Sequence, residues 1–289
     1  MDALRPIDLR HQGAERVIGC YLLETSDGLA LNDCGPSVCV PALEEGLARL
    51  SLSLSDISHL LLSHIHLDHA GAAGVLVRMH PRLQVHVSEI GAPHLVDPSR
   101  LERSARRLYG DAFDRLWGEL APVPEENIAL LQTRVLGLEA FPTPGHASHH
   151  ACYLAPDGTL YAGDAAGVRI QPDGYACPPT PPPEFDLETW LRTIDEIERR
   201  EPTRLALIHF GVVDHPGPHL DQLRRRLHDW AAEDLPEEDW LHRREKEREA
   251  ESAEPGTYER AMPLWQSYAG LRRYWDKLAG TDDPTIASR

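Results

Sequence analysis

The sequence predicts an α/β body followed by a helical C-terminal extension. Through residues 1–215, short apolar runs alternate with amphipathic segments, the pattern of strands joined by helices. From about Leu220 the chain turns charged and helical, with Pro236 and Pro255 near the joins. A length of 289 residues with 42% hydrophobic content suits one large domain with an appendage, at about 100–200 residues per domain. Residues 1–217 are therefore read as the body and residues 218–289 as the extension.

The elements follow in order. Arg16–Glu24 and Gly28–Asp33 read as a hairpin around the turn Ser26-Asp27-Gly28. Val40–Leu50 has helical spacing, with Pro41 in a first turn. Ile57–Ser63 is a buried strand, Ala70–Met79 a helix of small and apolar residues, and Leu83–Val87 another strand. Ser99–Leu120 reads as one helix with a charged face, and Leu131–Phe141 contains strand-like alternation. Ala151–Leu154 and Leu160–Tyr161 pair across an Asp157-Gly158 turn. The run Cys177–Pro183 (CPPTPPP) forms a stiff loop, since proline suits neither a helix interior nor a central strand. Leu187–Arg200 is an amphipathic helix, and Leu205–Ile208 a buried strand ending at His209. His219–Ala232, Leu235–Glu251 and Tyr258–Leu278 are helices of the extension.

Charge narrows the function. Acidic residues outnumber basic ones 46 to 29, for a net charge of −17. Such a chain repels polyphosphate, which disfavours nucleic-acid binding. No run approaches the roughly 20 apolar residues of a membrane span, and the N-terminus lacks the apolar stretch of a secretory signal, so the expectation is a soluble, cytoplasmic protein without membrane partners. The 5 cysteines include no CxxC spacing and read as reduced, buried thiols.

The chemistry concentrates in one hexapeptide. His64, His66, Asp68 and His69 follow directly on a buried strand. Imidazoles and a carboxylate suit zinc and other first-row divalent metals. His64 and His66 point the same way in an extended segment, while Asp68 and His69 turn toward an adjacent position, so one segment begins two neighbouring metal sites. Three further residues carry compatible chemistry at strand ends or loops: His146 in Pro144-Gly145-His146, Asp164 in Ala162-Gly163-Asp164, and His209 after Leu205–Ile208. Gly145 permits the tight turn that exposes His146.

The ordered set HxHxDH, PGH, AGD and a histidine at the end of a strand resembles the metallo-β-lactamase-fold superfamily over roughly residues 16–215. The resemblance implies a four-layer αβ/βα sandwich with metals at one edge. It implies that His64, His66 and His146 hold a first metal, that Asp68, His69 and His209 hold a second, and that Asp164 bridges both. It also implies that Asp33 orients a ligating imidazole by accepting its other N–H. Zinc is the expected metal, and the same ligands permit iron or manganese.

The implied activity is metal-dependent hydrolysis of a small ester-like substrate, with a thioester favoured and Asp68 as a catalytic residue that orients the nucleophile. Glyoxalase II, with its helical C-terminal extension, is similar in kind. Persulfide dioxygenases, with one iron, and hydrolases of lactones or phosphodiesters share the motifs and stand as alternatives. Gly167 replaces the tyrosine of acyl-homoserine lactonases, which speaks against that branch. Tyr175 is a candidate oxyanion donor, Arg272, Arg273 and Lys277 are surface residues with a lesser claim on an anionic substrate, and His149 and His150 read as core or solvent-facing residues, with a place in the pocket lining as the lesser reading. A homodimer through the C-terminal helices is a further expectation.

Overall fold

The computed structural model describes residues 4–172 and 174–281, so the end of the expected extension, 282–289, lies outside the described residues. Two six-stranded sheets take their strands in chain order. The first contains β1 (Ile7–Asp8), β2 (Gly19–Thr25), β3 (Gly28–Asn32), β4 (Ile57–Leu61), β5 (Gln84–Val87) and β6 (Ile128–Leu130). The second contains β7 (Arg134–Val135), β8 (Leu138–Pro142), β9 (Ala151–Leu154), β10 (Thr159–Tyr161), β11 (Arg204–Leu207) and β12 (Gly211–Val213).

Pairing follows the length of each connection. The hairpin β2–β3 is antiparallel with Thr25 opposite Gly28, whereas β3–β4, β4–β5, β5–β6 and β10–β11 are parallel. Parallel neighbours need crossovers, and helices supply them. They are α1 (Val40–Arg49), then α2 (Leu67–Ala70) and α3 (Ala73–Met79), then α4 (Ala92–Val96), α5 (Ser99–Tyr109) and α6 (Phe113–Leu116), and finally α7 (Leu187–Glu198) between β10 and β11. Helix α7 starts where the Asp186 side chain accepts a hydrogen bond from the Thr189 amide at 2.8 Å. The extension contains α8 (Pro216–Ala232), α9 (Glu237–Glu251), α10 (Pro255–Ala261) and α11 (Leu264–Leu278).

The result is the expected sandwich, two sheets flanked by helices. One apolar cluster joins the first sheet to α1 and α3 and reaches Tyr153, Tyr161 and Ala206 of the second. Another joins the second sheet to Trp190 and Ile194 of α7 and to the extension. Buried tyrosines tie the sheets face to face, Tyr21 donating to the Leu207 carbonyl at 3.1 Å and Tyr153 to the Leu62 carbonyl at 2.6 Å. Backbone bonds from Gly19 to Ile208 (2.9 Å) and from Ala151 to Ser63 (2.8 Å) join them at one edge.

Two expected helices are broken. The segment expected to run from Ser99 to Leu120 stops at Tyr109, because Gly110 adopts φ 53°, and resumes at Phe113. The helix expected over Tyr258–Leu278 divides at Met262-Pro263, where proline removes an amide donor. Short strands β1, β6 and β12 carried no periodicity of their own and are set by pairing with a neighbour. No helix among the described residues is long and apolar enough to cross a membrane.

The extension is built into the body. Trp230 and Trp240 meet edge to face at 5.2 Å, and Tyr268 and Trp275 continue the aromatic row. Arg226, nearly fully buried, pairs with Glu247 and Glu251 and stacks on Tyr175 at 4.1 Å. Helix α11 presses on the proline-rich loop, where Thr180 Oγ1 donates to the Ser267 carbonyl at 3.0 Å. A Cβ at Gly270 would lie 2.0 Å from the Thr180 carbonyl oxygen, so Gly270→Ala forces loop and helix apart. That variant is expected to lose about 1–3 kcal/mol in denaturant unfolding; unchanged stability would show that this contact yields freely.

Candidate metal centre

Every candidate residue sits beyond the carboxyl end of a strand, on the segment that follows or, for Asp68 and His69, on the short helix α2. Asp33 follows β3, His64 to His69 follow β4, His146 follows β8, Asp164 follows β10, and His209 follows β11. Open α/β sheets place their ligand sites at such ends. The parallel pairs β3–β4 and β10–β11 aim their ends at the same edge, which is how residues up to 145 positions apart (64 to 209) become neighbours. Gly145 adopts φ +129° and its Cβ would sit 2.3 Å from Trp190 Cα, so glycine lets the His146 loop lie against α7.

The structure brings all seven sequence-predicted residues together. Donor atoms of His64, His66 and His146 lie within 4.8 Å of one another, and so do those of Asp68, His69 and His209. Asp164 stands between the groups. Its Oδ2 is 3.3 Å from His146 Nε2, while its Oδ1 is 3.4 Å from His69 Nε2 and 3.7 Å from His209 Nε2. Asp68 Oδ2 is 3.4 Å from His209 Nε2 and 3.9 Å from His69 Nε2.

The far nitrogen of four of the histidines is anchored, and the anchor fixes the tautomer. His146 Nδ1 donates to the Pro179 carbonyl (2.8 Å) and His209 Nδ1 to the Val17 carbonyl (2.6 Å). His69 Nδ1 donates to Asp33 Oδ2 at 2.8 Å, as expected of Asp33. Asp33 also accepts from the Ser63 amide (2.7 Å) and hydroxyl (2.8 Å), and that hydroxyl in turn accepts from His64 Nδ1 at 3.0 Å. Each of these rings therefore turns its Nε2 toward the centre.

These inward nitrogens test whether metals fit. His66 Nδ1 lies 2.9 Å from both His64 Nε2 and His146 Nε2. One proton on His66 satisfies one of those contacts and leaves the other as lone pair against lone pair; a cation satisfies all three. The spacing is close to the ~3.3 Å that ligands keep around a tetrahedral ion with bonds near 2.0 Å. His69 Nε2 and Asp164 Oδ1 are buried without a hydrogen-bond partner, a condition that calls for an unseen ion or water. The donor set fits two divalent ions.

The two halves differ electrically. Burial, reinforced by neighbouring imidazoles, holds His64 far below the ordinary histidine range and His66 at about 4. Around His69, burial opposes the charged form, but Asp164, Asp68 and Asp33 outweigh it and raise the imidazole well above that range. Burial likewise opposes ionisation of Asp68, and His69 and His209 overcome it, keeping that carboxylate charged. The second position thus favours positive charge.

Sequence reasoning missed one positioning residue. His150 Nδ1 donates to Thr143 Oγ1 at 2.7 Å, and its Nε2 accepts the Asp164 amide at 3.1 Å, fixing the backbone of the residue between the two groups. The signal was present in the adjacent pair His149-His150, but nothing in the spacing distinguished a fixed ring from a solvated one. Tyr175, by contrast, is a correction: it is fully buried, its hydroxyl donates to Glu247, and it does not line the cavity, so it offers no oxyanion contact. Arg272 pairs with Asp234 and Asp276 and is likewise outside the cavity wall. All 5 cysteines are buried and none forms a disulfide.

A cavity of about 660 Å³ opens above the cluster. His66, Asp68, His146, Asp164 and His209 line it, and the proline-rich loop, α5, α6, α10 and α11 contribute to its walls.

The metallo-beta-lactamase superfamily model matches residues 15–209, and the chain belongs to that superfamily. The protein YobT of Bacillus subtilis is 26% identical over 222 residues, covering 71% of this chain and 88% of its own. A hydroxyacylglutathione hydrolase of Cupriavidus taiwanensis is 28% identical over 148 residues, covering 50% of this chain and 48% of its own. A metallo-beta-lactamase family protein of Thermus thermophilus superposes with a TM-score of 0.65 at 21% identity, covering 96% of this chain and 93% of its own. An archaeal superfamily protein of Sulfolobus tokodaii does so at 0.62 and 19%, covering 94% and 96%.

The Asp33 bonds generate a test. Asp33→Ala removes the acceptor of the His69 Nδ1 proton and frees that ring to turn, so metal affinity is expected to fall about 10–100-fold while the fold persists. Chelator competition with elemental analysis measures the loss, and wild-type affinity in that variant would contradict the anchoring role.

Proposed function

We propose that this protein is a dinuclear metal-dependent hydrolase of a small ester-like substrate, with thioesters its preferred class. The observation that carries the reading is Asp164, whose two carboxylate oxygens face different groups of histidines. His64, His66 and His146 would hold one ion, Asp68, His69 and His209 the other, and Asp164 both; zinc is the proposed metal, since imidazole and carboxylate with open positions are its usual catalytic set. Held by these residues, such ions would supply the acidity that makes hydroxide available from water near neutral pH and the charge that polarises a substrate carbonyl.

The chain's own groups do the rest. Asp68 lines the cavity and keeps its carboxylate ionised. It accepts a proton from the attacking water and passes it to the leaving sulfur or oxygen. A C–O bond forms at the carbonyl carbon, the C–S or ester C–O bond breaks, and an acid and a thiol or alcohol leave. Asp33 and Ser63 hold His69 and His64 in the tautomers that ligation needs. The relation to a hydroxyacylglutathione hydrolase supports the thioester choice over half of the chain.

Metal analysis and a substrate panel test the proposal together. Protein purified without added metal is expected to carry close to two divalent ions per chain and to cleave acyl thioesters faster than lactones, β-lactams or phosphodiesters. One iron per chain with oxygen uptake would overturn the reading in favour of oxidation of a persulfide. Asp164→Ala is expected to lose metal and to reduce turnover at least 1,000-fold, with far-UV circular dichroism unchanged. Retained metal in that folded variant would refute the bridging role.

A further inference from the structure

The walls of the cavity carry a second message, about what the substrate looks like away from its reacting carbonyl. One stretch of the cavity lining is aromatic and continuous. Trp117 of the segment after α6 meets Tyr109 at 5.0 Å, and Tyr109 meets Trp265 of α11 at 6.1 Å, both edge to face. Gln266 Nε2 donates to the Tyr109 hydroxyl at 2.7 Å and fastens the two helices to each other. Leu108 and Trp265, 38% and 36% exposed, are among the few large apolar side chains left open to solvent, and both line this cavity. Open apolar surface of this kind marks a place where apolar matter binds.

Charge marks the rim. Arg100, Arg115 and Arg260 line the same cavity and are exposed. Arg106, on the same helix as Arg100, is paired with Glu102 and Asp114. No ion pair involves Arg100, Arg115 or Arg260 among the described residues, in a chain where acids outnumber bases 46 to 29. The two glutamates on these walls are engaged elsewhere, Glu259 with Arg248 at 2.8 Å and Glu184 with the Ser148 amide and hydroxyl at 2.7 and 2.6 Å, while Asp68 and Asp164 belong to the histidine cluster. Three uncommitted guanidiniums around a cavity make a local positive field in an otherwise negative protein. The guanidinium fork suits carboxylate and phosphate.

We propose that the substrate is amphiphilic and anionic: a carbonyl ester or thioester joined to an apolar arm that lies along the Tyr109–Trp117–Trp265 wall, and ending in a carboxylate or phosphate held by Arg100, Arg115 and Arg260. The proposal rests on the hydrolase reading for the position of the carbonyl, and on the cavity walls alone for the arm and the anion.

Binding separates the two. The probes are ketone isosteres of a thioester, with CH₂ in place of sulfur, bearing an eight-carbon arm that ends in a carboxylate, a phosphate or a neutral amide, plus a carboxylate probe with a two-carbon arm. Calorimetry on the metal-loaded protein is expected to show at least one long anionic probe bound 10-fold or more tighter than the amide. The carboxylate and phosphate arms identify which anion the site takes. In the double variant Arg100→Gln/Arg260→Gln that preference is expected to fall to twofold or less while the amide binds as before. In Trp265→Ala, all three long probes are expected to weaken about 10-fold. Equal binding of anionic and amide probes, a preference that survives the arginine substitutions, or a short-arm probe that binds as tightly as the long one would each overturn the proposal. Absence of thioester turnover by metal-loaded protein with the probe preferences intact would overturn the hydrolase reading instead.

Discussion

The constraint on which the structure depends is the mutual repulsion of donor atoms aimed at one place. Five imidazoles and two carboxylates converge at a single sheet edge, and most of their outward atoms are already committed to carbonyls, to Asp33 or to Ser63. Without positive charge between them, bare nitrogens would face each other at 2.9 Å in a buried setting. A core that held such an arrangement for its own sake would be less stable than an apolar one of similar shape. The arrangement makes physical sense as a cradle for cations, and the rest of the fold holds its pieces in position.

That holding extends further than the strand ends. His146 is fixed by the Pro179 carbonyl, the loop around Pro179 is clamped by Ser267 of α11, and α11 is locked to α8 and α9 by tryptophans and tyrosines. A candidate metal ligand is thus tied, through a proline-rich loop, to the last helix of the described chain. The same helix supplies Trp265 and Gln266 to the cavity. The extension serves the site both as support and as wall.

Much of this was legible in the sequence because the ligand motif is local and ordered. HxHxDH following an apolar strand marks both a sheet edge and a candidate metal site, and the strands flanking it had clear apolar runs. What was not legible depends on contacts between distant segments. Strands β1, β6 and β12 are two or three residues long and exist through their partners. Gly110 and Pro263 each broke a helix whose periodicity ran through them. His150 could be assigned its place only once the Asp164 amide was seen to donate to it. Tyr175 looked available next to a loop and proved to be sealed under Arg226.

The most direct test of the central claim is anomalous diffraction from crystals of the metal-loaded protein at the metal's absorption edge. The account predicts two peaks, one at bonding distance, about 2.0–2.2 Å, from His64, His66 and His146 and the other equally close to Asp68, His69 and His209, with Asp164 touching both. A single peak, or none with the seven side chains in place, would contradict it.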